Sequence, residues 1–170
     1  MNSVPNDQSV PPDATNLRSF RDALGRFATG ITLITTQTAN GPVGFTANSF
    51  ASVSLDPPLV LWSAARAAAR FPIFAAAQTY SIHILAQDET PLISRFIRGG
   101  AGFDGLATGR SQDGNPVLHQ ALARFDCHQQ ACHDGGDHLI ILGRVVQFSS
   151  RDGAPLVFSQ GAYGSFSDLP

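Results

Sequence analysis

Apolar and polar positions alternate most clearly over residues 44–59. Phe45, Ala47, Ser49, Ala51, Val53 and Leu55 make one parity, mostly apolar. Thr46, Asn48, Phe50, Ser52 and Ser54 make the other, mostly small and polar. Period two places these sets on opposite faces of a β-strand. Each parity has one exception, Ser49 and Phe50, and the two are adjacent. A bulge near Asn48–Phe50 would produce this, since an extra residue exchanges the faces. The polar face carries hydroxyls and an amide but no charge. Such a face suits a neutral heterocycle and its phosphate ester; it equally suits a solvated sheet surface.

The rest of the pattern organises around this strand. Residues 1–15 are polar, with Pro5, Pro11 and Pro12, and predict a disordered tail before one domain over 16–170. Thr15 or Asn16 can cap a helix. Leu17, Phe20, Leu24, Phe27 and Ala28 then recur at helical spacing up to Gly30. The apolar stripe of this helix is expected to pack on the core. Ile31–Thr38 reads as a strand, and Asn40-Gly41 turns it into a hairpin with 43–55. Asp56-Pro57-Pro58 stops the second strand, and Leu59–Trp62 continues as a short buried one. Ala64–Ala77 is alanine-rich and predicts a helix, kinked or broken at Pro72.

Tyr80–Leu85 alternates as a strand. Gln87–Ile97 predicts a helix with Leu92, Ile93 and Phe96 inward. Gly99–Gly114 carries six glycines and reads as a loop of a length that is often functional. Val117–Leu122 is short and of no clear type. Strands over Ala123–Cys132 and His138–Phe148 flank the turn Asp134-Gly135-Gly136-Asp137. Asp152-Gly153 makes another turn before 155–158, and residues 161–166 are extended. About six strands, two or three helices and no βαβ rhythm predict a mainly β antiparallel barrel or sandwich.

Composition narrows the partners. Charged residues make up only 14% of the 170 against 43% hydrophobic, which points to surface covered by self-association. A net charge of −2 without basic runs argues against nucleic acid and anionic membranes. The basic residues are all arginine. The lack of lysine excludes Schiff-base chemistry and a phosphate-cradling P-loop. Two cysteines make no disulfide framework, and neither a signal peptide nor a transmembrane run is seen. A reducing, cytoplasmic setting is expected.

Three sets of residues are candidates for chemistry. Cys127-His128, Cys132-His133 and His138 suggest zinc. Neighbours on a strand face opposite ways, however, leaving at most two ligands on a side where zinc needs three or four. No Gly-x-Ser-x-Gly elbow supports a hydrolase. Gly136-Asp137-His138 is either a turn whose aspartate bonds local amides or the mouth of a barrel, with an imidazole facing a ring.

Together, Gly44 to Leu59, Ile84-Leu85-Ala86-Gln87, Phe125-Asp126-Cys127, Gly136-Asp137-His138 and Gly143-Arg144-Val145 resemble the short-chain flavin reductases. These are the reductase components of two-component flavin-dependent monooxygenases. The resemblance runs from about Phe20 to Tyr163. It implies a Greek-key split β-barrel with a few short peripheral helices, a homodimer, and reduction of FMN or FAD by NADH or NADPH. It further implies that diffusible reduced flavin serves a partner monooxygenase. It assigns Thr46, Ala47, Asn48, Ser49 and Ser52, with Phe45 and Trp62, to the isoalloxazine edge and ribityl-phosphate. Ser63 and Arg66 fall to the phosphate, His138 to the nicotinamide, and Tyr163 or Phe166 to a C-terminal aromatic contact. Gln87, Gly136 and Asp137 join the cofactor site. Where the family often has Ser or Thr, this chain has Ala64-Ala65-Arg66-Ala67-Ala68-Ala69. Phosphate binding then leans on Arg66 and on amides at a helix N-terminus. A flavin- or haem-binding barrel without turnover, or a flavin-dependent reductase of another small acceptor, stays open as an alternative.

Overall fold

The computed structural model describes residues 9–97 and 101–168. The predicted tail therefore falls outside the described residues over 1–8, as do Gly99 and Gly100 of the predicted loop. In chain order the elements are α1 (Leu17–Leu24), β1 (Thr29–Gly30), β2 (Thr32–Thr38), β3 (Gly41–Ala47), β4 (Ala51–Leu55) and β5 (Pro58–Ala65). Then come α2 (Phe71–Ala76), β6 (Thr79–Ile84), a 3₁₀ turn (Gln87–Glu89), α3 (Thr90–Ile97), β7 (Thr108–Arg110) and β8 (Pro116–Leu118). The long hairpin β9 (Ala123–Gly135) and β10 (His138–Ser150) and the short one β11 (Leu156–Ser159) and β12 (Ala162–Ser165) complete the fold.

Seven strands form one antiparallel sheet in the order β3-β2-β6-β9-β10-β5-β4. Laid flat, its outer strands would stand about 29 Å apart, at about 4.8 Å per spacing. Yet Ala47, ending β3, and Ala51, starting β4, are four residues apart, a reach of at most about 14 Å. The sheet must curl until its two edges come within that reach, which makes it a split barrel bridged by residues 48–50.

The inside of the barrel is aromatic. Trp62 is fully buried, with ring centroids 5.5 Å from Phe45, 5.5 Å from Phe74 and 6.0 Å from Tyr80. A second core gathers Leu33, Leu85, Ile93, Phe96, Leu118 and Leu156 between the sheet, α3 and the β8 and β11 strands. Strand β2 separates the two cores, so Leu33 and Ile34 on opposite faces are both fully buried. Helix α3 docks where Gly44 leaves room: a Cβ there would come within 2.5 Å of the Phe96 ring.

His83 ties β6 into the second core. Leu118 donates its N–H to Nε2 at 3.1 Å, so Nδ1 carries the proton and donates to the Leu33 carbonyl at 2.9 Å. The ring is fully buried, and desolvation lowers its pKa to about 4.

Four expectations are corrected. The strand over 44–59 is two strands at opposite edges of the sheet, and its one register shift falls at Ser52/Ser54. Helix α1 exists, but none of its eight residues is buried, and Leu17, Phe20 and Leu24 expose their apolar stripe, with Phe27 beyond it. Ala64 and Ala65 belong to β5, where they pair with Leu139 and His138. Only Phe71–Ala76 is helical, with Pro72 in the first turn, where a missing N–H costs nothing. The glycine-rich stretch contains β7, paired with β8, whose Pro116 carbonyl accepts a 2.5 Å bond from the Thr35 hydroxyl.

Candidate functional site

The crossing at the barrel split presents the expected site strand. Thr32 Oγ1 fixes the end of β3 by donating to the Ala47 carbonyl at 2.8 Å. Asn48 is exposed. Ser49 accepts a 2.8 Å hydrogen bond from the Ser63 N–H and donates at 3.1 Å to the Ser63 carbonyl. Its side chain thus continues the β4–β5 ladder where the backbone has left it. Phe50 turns inward and stacks on Phe125 at 5.7 Å and 16°. The parity swap at Ser49 and Phe50 is this change of edge.

Beside the crossing lies a shallow cleft of about 160 Å³, lined by Thr46, Ala47 and Asn48 with Ile31, Ile93, Phe158 and Tyr163. Tyr163 reaches it from β12, its ring 5.3 Å from Phe158. On the other side of Tyr163 a broad open groove holds Gln87, Asp88 and Gly164. No charged side chain lines the cleft. Among the described residues, the side chains of Thr46, Asn48, Ser63 and Tyr163 make no hydrogen bond to another side chain or to the backbone. Uncommitted hydroxyls and an amide beside aromatic surface are a donor set that fits a neutral tricyclic ring. The volume is below the about 300–1,000 Å³ of enclosed ligand pockets, so the cleft has room for one edge of such a ring and not for the whole of it.

The second group of candidates stands at the tip of the β9–β10 hairpin. On β5, Ser63 pairs with Ile140 and Ala65 pairs with His138. The strand that receives Ser49 on one side therefore carries His138 on the other. Gly136 turns the tip with φ +73°, a conformation that favours glycine. The His138 imidazole lies 2.7 Å from the Asp137 carboxylate through Nδ1. That hydrogen bond, then the imidazole charge, holds the Asp137 carboxyl below the ordinary aspartate range. Arg66 spans the same tip. Its Nη2 lies 2.6 Å from Asp134 Oδ1, and its Nε donates to the Gly136 carbonyl at 3.0 Å.

The structure separates other expected residues from direct contact. Trp62 is wholly in the core, because the even positions of β5 face into the barrel, and it has no surface for a ligand. Phe45 is buried behind the crossing, with the Arg70 guanidinium 4.9 Å over its ring. Ser52 is exposed on β4, and Gln87 lies in the groove beyond Tyr163. Phe166 is exposed past β12. Cys127 faces the core while its neighbour His128 is exposed. Ile31, Ile93 and Phe158 line the cleft unforeseen; they look like ordinary core residues in sequence. Asp134 was visible only as a turn residue.

Residues 24–167 match the family model of the flavin reductase like domain. The chain belongs to the flavin reductase family. This flavin reductase is 51% identical over 164 residues to the FMN reductase (NADH) SmoA of Agrobacterium fabrum, covering 96% of this chain and 94% of that one. The solved nitrilotriacetate monooxygenase component B of Mycobacterium thermoresistibile superposes with a TM-score of 0.86 at 36% identity, covering 94% and 93%. The NADH:FAD oxidoreductase SgcE6 of Streptomyces globisporus, in complex with NAD and FAD fragments, superposes with a TM-score of 0.85 at 30% identity, covering 94% and 98%. A flavin reductase brings a nicotinamide and a flavin ring together for hydride transfer, so the protein's task is to hold and orient both.

Proposed function

We propose that this flavin reductase oxidises NADH, reduces FMN and releases the reduced flavin to a partner monooxygenase, with the β3–β4 crossing as its flavin wall. The observation that carries the site is the cleft itself. Thr46, Ala47 and Asn48 from the first half of the chain meet Tyr163 from its end on one uncharged surface. Thr46, Ala47 and Asn48 lie along the ring edge, with Ser49 positioning them and Phe45 supporting them from behind. Ser63 takes the ribityl-phosphate side. Tyr163, with Gln87 beyond it, closes the far edge. His138, oriented by Asp137 after the Gly136 turn, faces the nicotinamide.

The chemistry that flavin supplies when bound is acceptance of hydride at N5 from nicotinamide C4. The chain's own residues bind and orient. The Asn48 amide and the backbone N–H groups of the crossing are the donors for negative charge that develops on the ring. No side chain has to pass a proton in the hydride step.

A homodimer fits the exposed apolar side chains. Leu17, Phe20, Leu24 and Phe27 lie open on and after α1, and Leu55 and Phe148 on the sheet are 95% and 72% exposed. Burying such surface stabilises an association at about 25 cal/mol per Å². The two free cysteines suit a reducing cytoplasm. No helix among the described residues is long and apolar enough to cross a membrane.

The test is NADH loss in air with FMN, FAD or riboflavin added in turn. Turnover with FMN, and a raised flavin KM in Asn48→Ala, are the expected results. NADH that is stable with every flavin overturns the reading.

A further inference from the structure

We infer that Arg66 is a positioning residue for His138, clamping the tip of the β9–β10 hairpin, from Asp134 to Asp137, to the end of β5 rather than holding a flavin phosphate. The inference rests on the placement of His138 beside the nicotinamide. Three bonds from one residue land on the turn. The Arg66 N–H donates to the Asp137 carbonyl at 2.9 Å. Its Nε donates to the Gly136 carbonyl at 3.0 Å, and its Nη2 meets Asp134 Oδ1 at 2.6 Å. The guanidinium is further held 5.5 Å over the Phe71 ring.

This arrangement uses the planar fork of arginine, whose donors point in fixed directions. It also opposes the phosphate role. A phosphate on Nη2 of Arg66 would have to displace Asp134 and would face that carboxylate. A carboxylate already paired with the guanidinium disfavours a dianion beside it. The turn needs the clamp. Gly136 loses more conformational freedom than other residues when fixed at φ +73°. His138 follows two residues later and inherits any looseness there.

Arg66 and Asp134 side chains are 42% and 79% exposed, so substitutions spare the core. The variants are Arg66→Ala, Arg66→Lys, Asp134→Asn and the Arg66→Ala/Asp134→Asn pair. Arg66→Ala should raise the KM for NADH about three- to tenfold, the range of one or two lost hydrogen bonds. Asp134→Asn should do so less strongly. The double variant should be no worse than Arg66→Ala, because both remove one interaction. Lysine should rescue only in part, since a point charge cannot serve Asp134 and Gly136 together. KM values for FMN and for riboflavin, which lacks the phosphate, should move together by less than about twofold. Amide exchange over residues 134–138 should quicken in Arg66→Ala. Unchanged exchange there, or a KM rise for FMN that riboflavin does not share, overturns the clamp. Faster exchange with an unchanged KM for NADH upholds the clamp and removes His138 from the nicotinamide side.

Discussion

The hydroxyl of Ser49 closes a two-way hydrogen-bonded clip with the backbone of Ser63, at 2.8 and 3.1 Å. The clip joins the loose end of the crossing to β5. Ser49→Ala leaves a half-buried N–H and carbonyl without their partner, at a cost of about 1–3 kcal/mol. The melting temperature should drop by several degrees, and the KM for flavin should rise with it. A variant that melts like the parent would show that water replaces the hydroxyl without loss.

His138 lies on the far side of β5 from that clip. His138→Ala should raise the KM for NADH more than the KM for flavin, and Asp137→Asn should follow it to a smaller extent. Steady-state rates with both substrates varied decide this. An equal or larger effect on flavin would place the imidazole on the wrong ring.

His83 gives stability a pH slope. Its pKa is lowered from 6.5 to about 4 by burial. Below pH 6.5 the unfolded chain takes up a proton that the folded chain refuses. Stability should therefore fall as pH drops from about 6.5 to about 4 and level off below. Between pH 7 and pH 5 the loss from this residue is about 2 kcal/mol. Denaturant unfolding at the two pH values measures it, and His83→Gln should flatten that part of the slope.

Gly143 and Tyr80 are in forced contact: a Cβ at 143 would run into the Tyr80 hydroxyl. Gly143→Ala should destabilise by about 1–3 kcal/mol through overpacking. Adding Tyr80→Phe, which removes the obstructing oxygen, should recover much of that. Independent, additive effects in thermal melts would contradict the contact.

Local chemistry was readable from sequence, and long-range choices were not. Asn40-Gly41 marked the β2–β3 turn because Gly41 must adopt φ +113°, and Gly136 marked the β9–β10 tip for the same reason. The alternation through Phe45, Thr46 and Ala47 showed a strand. It could not show that Ser49 and Phe50 change edges, since a bulge and a change of partner both reverse parity. The stripe Leu17, Phe20, Leu24 demanded burial without saying against what, and its own barrel does not cover it. Ala64 and Ala65 carry helix propensity, but pairing with Leu139 and His138 overrides it. Arg66 looked like a free cation because its partner Asp134 lies 68 positions away. The residues that line the cleft beside Tyr163 were partly visible; the aliphatic ones, Ile31 and Ile93, carry no signal beyond hydrophobicity.

The tether of residues 48–50 is also a ruler. Each residue inserted there would add up to about 3.5 Å of slack between the two edges of the sheet, more than a hydrogen bond between Ser49 and Ser63 tolerates. Side chains on the tether can therefore be exchanged to suit another ligand while the barrel persists. Its length cannot, because the same three residues that present the surface also gauge the gap it spans.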